Sequence, residues 1–163
     1  MSARESFRVH VAKDYLKFSA AHFIAYPGFR ERLHGHNYRV SIALHGPLGP
    51  QGYVVDFGIV KRIARRLCDH LDEHVLIPVR SDCLTVREDG DVVILHYEQD
   101  EFRFPRGDVR LLPIVHTSVE ELSQYLCGEL RRELAAEGVA ALDAIEIGVE
   151  ETSGQQAIHR SEG

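Results

Sequence analysis

No run of apolar residues in the sequence approaches the roughly 20 that a helix needs to cross a bilayer. The opening stretch, MSARESFRVH, likewise lacks an apolar core of the signal-peptide kind, so the expected location is the cytoplasm, away from membranes. Cysteine is scarce: Cys68, Cys83 and Cys127 are odd in number and form no C-x-x-C pair, which argues against a disulfide framework and against a thiolate zinc knuckle. Cys68 and Cys127 fall within helical patterns and read as small core residues. A basic excess is also missing. With 19 Lys and Arg against 25 Asp and Glu the net charge is −6, and without a basic stripe nucleic acid is not expected as a partner. Repeats, low-complexity tracts, Gly-rich phosphate loops and nucleophile elbows are all absent. What remains is one domain over residues 1–163, 44% hydrophobic and able to bury a core.

Histidine, by contrast, is plentiful, with 10 in the chain. His10, His45, His96 and His159 read as plain surface or strand residues. His34-Gly35-His36 is different, because alternate residues of an extended strand share a face and both imidazoles point the same way. His22 lies in FSAAHF (Phe18 to Phe23), which can run antiparallel to the strand carrying Tyr38, Val40, Ile42 and Leu44. If the two pair, His22 reaches an ion held by His34 and His36 and leaves a fourth tetrahedral position open, the pattern of catalytic zinc sites. An isolated H-x-H is more often merely solvated or hydrogen-bonded, so the third histidine decides the reading.

Along the chain, β-rich parts bracket helical ones, an α+β pattern. Phe7 to Phe23 reads as a strand, and Tyr38, Val40, Ile42 and Leu44 alternate with Arg39, Ser41, Ala43 and His45 at the period of a half-buried strand. Gly46 to Gly52 breaks it. Asp56 is placed to cap a helix with the apolar stripe Val60, Ile63, Ala64, Leu67 and Leu71, and Pro78 closes that region. Leu84 to Arg87 and Val92 to Tyr97 flank Asp89-Gly90 as a hairpin. Thr117-Ser118 opens a second helix, with Val119, Leu122, Tyr125, Leu126, Leu130 and Leu134 on one side and Gly138 at its end. In the last strand Ile145, Ile147, Val149 and Glu151 share a face. Two readings stand there: a carboxylate closing an apolar row, suited to a flat heterocycle with N–H groups, or a strand ending at Val149 with Glu151 solvated.

FSAAHF, LHGHNYRV (Leu33 to Val40), GYVVDF (Gly52 to Phe57), LDEHVL (Leu71 to Leu76), TSVEELSQYL (Thr117 to Leu126) and VEET (Val149 to Thr152) occur in an order that resembles the 6-pyruvoyltetrahydropterin and 6-carboxytetrahydropterin synthases. The resemblance spans nearly the whole chain except Ser81 to Val115, which stands as an insertion with hairpin character. It implies the tunnelling fold: a four-stranded antiparallel sheet with two helices on one face, in subunits joined as a homotrimer or stacked homohexamer with sites shared at the interfaces. It also implies zinc on His22, His34 and His36, and a pterin bound by Glu151 with Thr152 and Ser118 from the flanking blocks.

Two departures bear on chemistry. The family's proton-transfer cysteine precedes H-G-H by four positions, where this sequence has Arg30, while Glu31 gives E-x-x-H-G-H and resembles a subgroup with glutamate in place of the cysteine. A carboxylate there can serve as general base; the other reading of Glu31 is a solvated charge between Arg30 and Arg32. The family's L-D-H becomes L-D-E-H, so Asp72 matches and the relay imidazole is His74, or His70 one turn earlier. The subgroup implies a zinc-dependent lyase that cleaves the side chain of 7,8-dihydroneopterin or its triphosphate to 6-hydroxymethyl-7,8-dihydropterin for folate synthesis, with no organic cofactor. The alternatives are triphosphate elimination by a 6-pyruvoyl- or 6-carboxytetrahydropterin synthase, the latter in queuosine synthesis, and a non-catalytic pterin- or metal-binding relative.

Overall fold

The computed structural model describes residues 5–139 and 141–163; the first four residues of the N-terminal stretch considered above lie outside them. Strand β1 (Phe7–His22) pairs antiparallel with β4 (His34–Gly46), in a register that sets Phe7 opposite Gly46 and His22 opposite His34, with one bulge between Ala12 and Lys17. On the other side of β4 lies β10 (Ala144–Thr152), and beyond it β11 (Gln155–Glu162), both antiparallel. These four are the expected antiparallel strands. Two more extend the sheet: β5 (His74–Pro78) runs parallel to β1, and β9 (Val109–Leu112) runs parallel to β5. Val75 to Ile77 is a short apolar run without alternation, so its strand character shows only once a sheet edge receives it.

Helices α1 (Phe57–Leu71) and α2 (Val119–Ala136) cover one face of the sheet. Asp56 caps α1 by accepting from the Gly58 N–H at 2.7 Å. Ser118 caps α2 through the Glu121 N–H, and the Glu121 carboxylate accepts from the N–H groups of Val115 and His116 in the segment leading into the helix. Beneath the helices, Phe18, Tyr38, Val40, Ile42, Leu44, Ile145, Ile147 and Val149 pack against Val60, Ile63, Leu71, Leu122, Leu126 and Leu130. Cys68 and Cys127 are buried in this core, as their helical positions suggest.

A second core lies at the end of the sheet where β1 finishes. The hairpin read at Asp89-Gly90 is present as β6 (Thr85–Asp89) and β7 (Val92–Tyr97), with Gly90 at φ +60°. A third strand, β8 (Asp100–Pro105), completes a separate sheet. Val93, Leu95, Phe102 and Phe104 from this sheet pack on Phe23, Ala25, Ile77 and Val109. The chain between β1 and β4 folds into a small hairpin of β2 (Ala25–Tyr26) and β3 (Phe29–Arg30), turning at Gly28 with φ +86°. Among the described residues no helix is long and apolar enough to cross a membrane.

Candidate active site

His34 and His36 open β4 on the face that continues as Tyr38, Val40, Ile42 and Leu44, so the histidine row extends the core face to the point where the helices end. Antiparallel register brings His22, the last residue of β1, directly opposite His34. The ring centroids of His22 and His34 lie 4.7 Å apart, those of His22 and His36 5.2 Å, and those of His34 and His36 4.9 Å. One ligand nitrogen from each falls within 4.8 Å of the other two. Gly35 is confined between them, because a Cβ there would meet the Ala20 carbonyl oxygen at 3.1 Å.

Outer hydrogen bonds set the ring tautomers. Nδ1–H of His22 donates to the Thr117 carbonyl at 3.0 Å, and the buried Thr117 hydroxyl in turn donates to the Phe23 carbonyl. Nδ1–H of His34 donates to the Arg32 carbonyl at 2.7 Å. The lone pairs of His22 and His34 therefore sit on Nε2, and the Nε2 atoms of His22 and His36 are buried without a hydrogen-bond partner among the described residues. An unsatisfied buried acceptor costs about 1–3 kcal/mol, and a cation shared by these nitrogens removes that cost. Burial pushes the His22 pKa down to about 4, reinforced by the neighbouring His34 and His36 and opposed by the Thr117 carbonyl and Glu31. Near pH 7 His22 is thus neutral, the form that binds metal. Three imidazoles whose ligand nitrogens converge, with one side left to ligand, fit a zinc ion.

Two carboxylates flank this cluster. Glu151 ends the row Ile145, Ile147, Val149, and its Oε2 lies 3.8 Å from His36 Nε2 with the side chain 27% exposed. Of the two readings of Glu151, the structure has the partly enclosed carboxylate. Glu31 follows the small hairpin; its N–H donates to the Ile24 carbonyl at 2.9 Å and its Oε2 accepts from the Ile24 N–H at 2.8 Å, which bends the carboxylate back toward the segment after His22. Tyr38, its ring centroid 5.5 Å from that of His36, is fully buried with its hydroxyl unpartnered among the described residues. Burial raises its pKa, and the negative fields of Glu151 and Glu31 raise it further, so it stays a neutral phenol.

His74 lines an open cleft of about 480 Å³ together with His36, Asn37 and Glu73. Asp72 and His74 are neighbours, but not as a carboxylate–imidazole pair. The His74 Nδ1–H is directed at the Asp72 backbone carbonyl, and the Asp72 carboxylate accepts from the Ser19 N–H at 2.7 Å. The extra residue causes this: Glu73 takes a left-handed turn (φ +58°) and donates its N–H to the Ser19 carbonyl, which shifts the imidazole onto the strand. His70 is exposed on the last turn of α1 and does not line the cleft. Ser118 is engaged as a helix cap, and the Thr152 hydroxyl donates to Gln155 in the exposed β10–β11 turn. Cys83 packs on the second core beside Ser81, and burial pushes the Cys68 thiol up to about 12, with Asp69 and Asp72 adding to the shift. No thiol joins the histidine cluster among the described residues.

Sequence reasoning missed Tyr38 and Thr117. Tyr38 could have been found, since it is the next residue on the face of His34 and His36. Thr117 carries no such signal, because its contact with His22 bridges distant parts of the chain.

Compared with known proteins, residues 11–162 match the model of the 6-pyruvoyl tetrahydropterin synthase family. A putative 6-carboxy-5,6,7,8-tetrahydropterin synthase of Methanocaldococcus jannaschii is 33% identical over 89% of this chain and 90% of its own length. The 6-pyruvoyl tetrahydropterin synthase of Plasmodium vivax is 36% identical, covers 98% of this chain and 99% of its own, and superposes with a TM-score of 0.92. That protein has also been solved with a glutamate, named as a catalytic residue, replaced by alanine or by cysteine. The Plasmodium falciparum protein is 38% identical over 97% of this chain and 99% of its own, with a TM-score of 0.91.

Proposed function

Because the chain belongs to the 6-pyruvoyl tetrahydropterin synthase family, we propose that it is a zinc-dependent tetrahydropterin synthase acting on 7,8-dihydroneopterin triphosphate. The observation that carries this reading is the cluster of His22, His34 and His36, with two orphaned Nε2 atoms and the Glu151 carboxylate 3.8 Å from one of them. The names of the relatives from M. jannaschii and P. vivax support elimination of triphosphate as the reaction. Zinc on the three imidazoles would supply a positive charge that makes the substrate's side-chain hydroxyls more acidic.

The chain's own groups divide the remaining work. Glu151 accepts hydrogen bonds from the pterin N–H groups, and the enclosed row behind it excludes water from one edge of the ring. Glu31 takes the proton from the side chain as the bond to triphosphate breaks and the leaving group departs with the electron pair. His74, lining the cleft beside His36, returns a proton with Asp72 holding the strand that carries it. Ser118 and Thr152 border the ring at the ends of their elements. We place the working unit as a homotrimer or homohexamer, because β11 ends the sheet and Ile158 on it is 59% exposed, an edge that a second copy would cover.

A second reading is favoured by one observation: among the described residues no thiol joins the cluster, whereas the Glu31 carboxylate is held at the Ile24 N–H, two residues after His22. In that reading Glu31 deprotonates a side-chain hydroxyl, the C1′–C2′ bond breaks, and the product is 6-hydroxymethyl-7,8-dihydropterin. Incubating zinc-loaded protein with 7,8-dihydroneopterin triphosphate and with 7,8-dihydroneopterin, then identifying the pterin products and free triphosphate, separates the two. Bound but unconverted substrate would instead mark a pterin-binding relative. Glu151→Gln, which keeps shape and removes charge, is expected to weaken pterin binding by about 1.5–3 kcal/mol with zinc content unchanged. Titration calorimetry checks it, and an unaltered affinity would remove Glu151 from the site.

A further inference from the structure

Arg30 joins the three-stranded sheet to the loop that carries Glu31. Its Nε and Nη2 donate to Asp100 Oδ2 on β8 at 3.1 and 2.7 Å. The guanidinium lies 5.0 Å from the ring centroid of Phe102 on the same strand and 5.4 Å from that of Phe23, the residue after His22. The remaining arm, Nη1, donates to the Glu31 carbonyl at 2.8 Å. A planar fork can make all these contacts at once, which a lysine ammonium cannot. Glu31 is therefore held at its N–H, its carbonyl and its carboxylate. Nearby, the Tyr97 hydroxyl on β7 donates to the Tyr26 carbonyl at 3.2 Å and ties down the tip of the small hairpin. That hairpin has only two residues in each strand, too few to fix its own geometry in water.

We propose that Arg30, anchored by Asp100, is a positioning residue that holds the Glu31 carboxylate beside the histidine cluster, so that the sheet of residues 85–105 serves as a clamp on the loop entering the site. This rests on the reading of Glu31 as general base. A proton acceptor displaced by about an ångström loses up to a hundredfold in rate, so releasing the clamp acts on turnover rather than on binding. The Asp100 side chain is 54% exposed and belongs to neither core, so its replacement is expected to leave both packed.

Asp100→Ala is the test. The expected result is a drop in kcat of about tenfold or more, with KM and zinc per chain unchanged, and recovery of most of the loss in Asp100→Glu. In a Glu31→Gln background the same change should cost nothing further, since there is no base left to misplace. Where Glu31→Gln is itself impaired, an unchanged kcat in Asp100→Ala, or an equal loss in both backgrounds, overturns the clamp. Amide hydrogen exchange gives a readout that does not depend on chemistry: Ile24 and Glu31 should exchange faster in Asp100→Ala while the amides of α1 and α2 keep their rates. If Glu31→Gln proves fully active while these two amides still loosen, the base assignment fails and the clamp stands. Unchanged exchange at Ile24 and Glu31 overturns the clamp whatever the kinetics show.

Discussion

Alanine in place of His34 or His36 is expected to leave the purified protein well below the roughly one zinc per chain of the wild type, and without measurable lyase turnover. Each change removes one of three protein ligands, and a site reduced to two imidazoles holds the ion far more weakly. His34 and His36 are better choices than His22, whose ring also bonds to Thr117 and is packed in the core, so that His22→Ala would confound metal loss with a packing defect. The independent measurement is thermal. Zinc at about 100 times its dissociation constant stabilises a protein that binds it only when folded by about 2.7 kcal/mol, so added zinc should raise the wild-type Tm and leave the Tm of either variant unmoved. For apo protein the sign reverses at His36, because removing an orphaned buried nitrogen relieves a cost. Stoichiometric zinc retained in both variants would sink the three-histidine site.

The histidine cluster is legible in the sequence because two local rules converge on it. Period-two alternation fixes His34 and His36 on one face, and antiparallel pairing of two clearly patterned strands brings in His22. Alternation also placed Glu151 at the end of an apolar row, although only the structure shows that the carboxylate leans toward His36 rather than into solvent. What escaped detection was set by contacts between distant segments. Strands β5 and β9 have no alternation to announce them and exist because the sheet edge beside Ala20 and Ala21 receives them in parallel. The Asp72 and His74 pairing was read from a motif with one extra residue, and that residue, in a left-handed turn, redirects the imidazole to a backbone carbonyl. In the sequence Arg30 marks only the position of the family's absent cysteine. Its role depends on Asp100, 70 residues away, which no local pattern could supply.

Replacing Glu31 by glutamine should cut turnover by about 10² to 10⁴, the usual size of a general-base contribution, while zinc and pterin binding persist. Glutamine can still accept from the Ile24 N–H through its amide oxygen, so the loop keeps its hydrogen bond and the change is confined to loss of the charge and basicity. The separation of kcat from KM is what identifies a base, because a residue needed only to bind would raise KM or strip the metal. Glu31→Cys tests the chemistry more sharply. A thiol beside a cation is deprotonated more readily than a free one, so this variant should regain part of the activity and move the product balance toward triphosphate elimination. The recovery should be partial, since Glu31 stands one residue nearer to His34 than Arg30 does, and Arg30 holds the Glu31 carbonyl from the opposite side. Quantifying both pterin products and triphosphate for wild type, Glu31→Gln and Glu31→Cys under one set of conditions reads all of this at once. A Glu31→Gln enzyme running at the wild-type rate would move the base to the cleft that His74 lines together with His36.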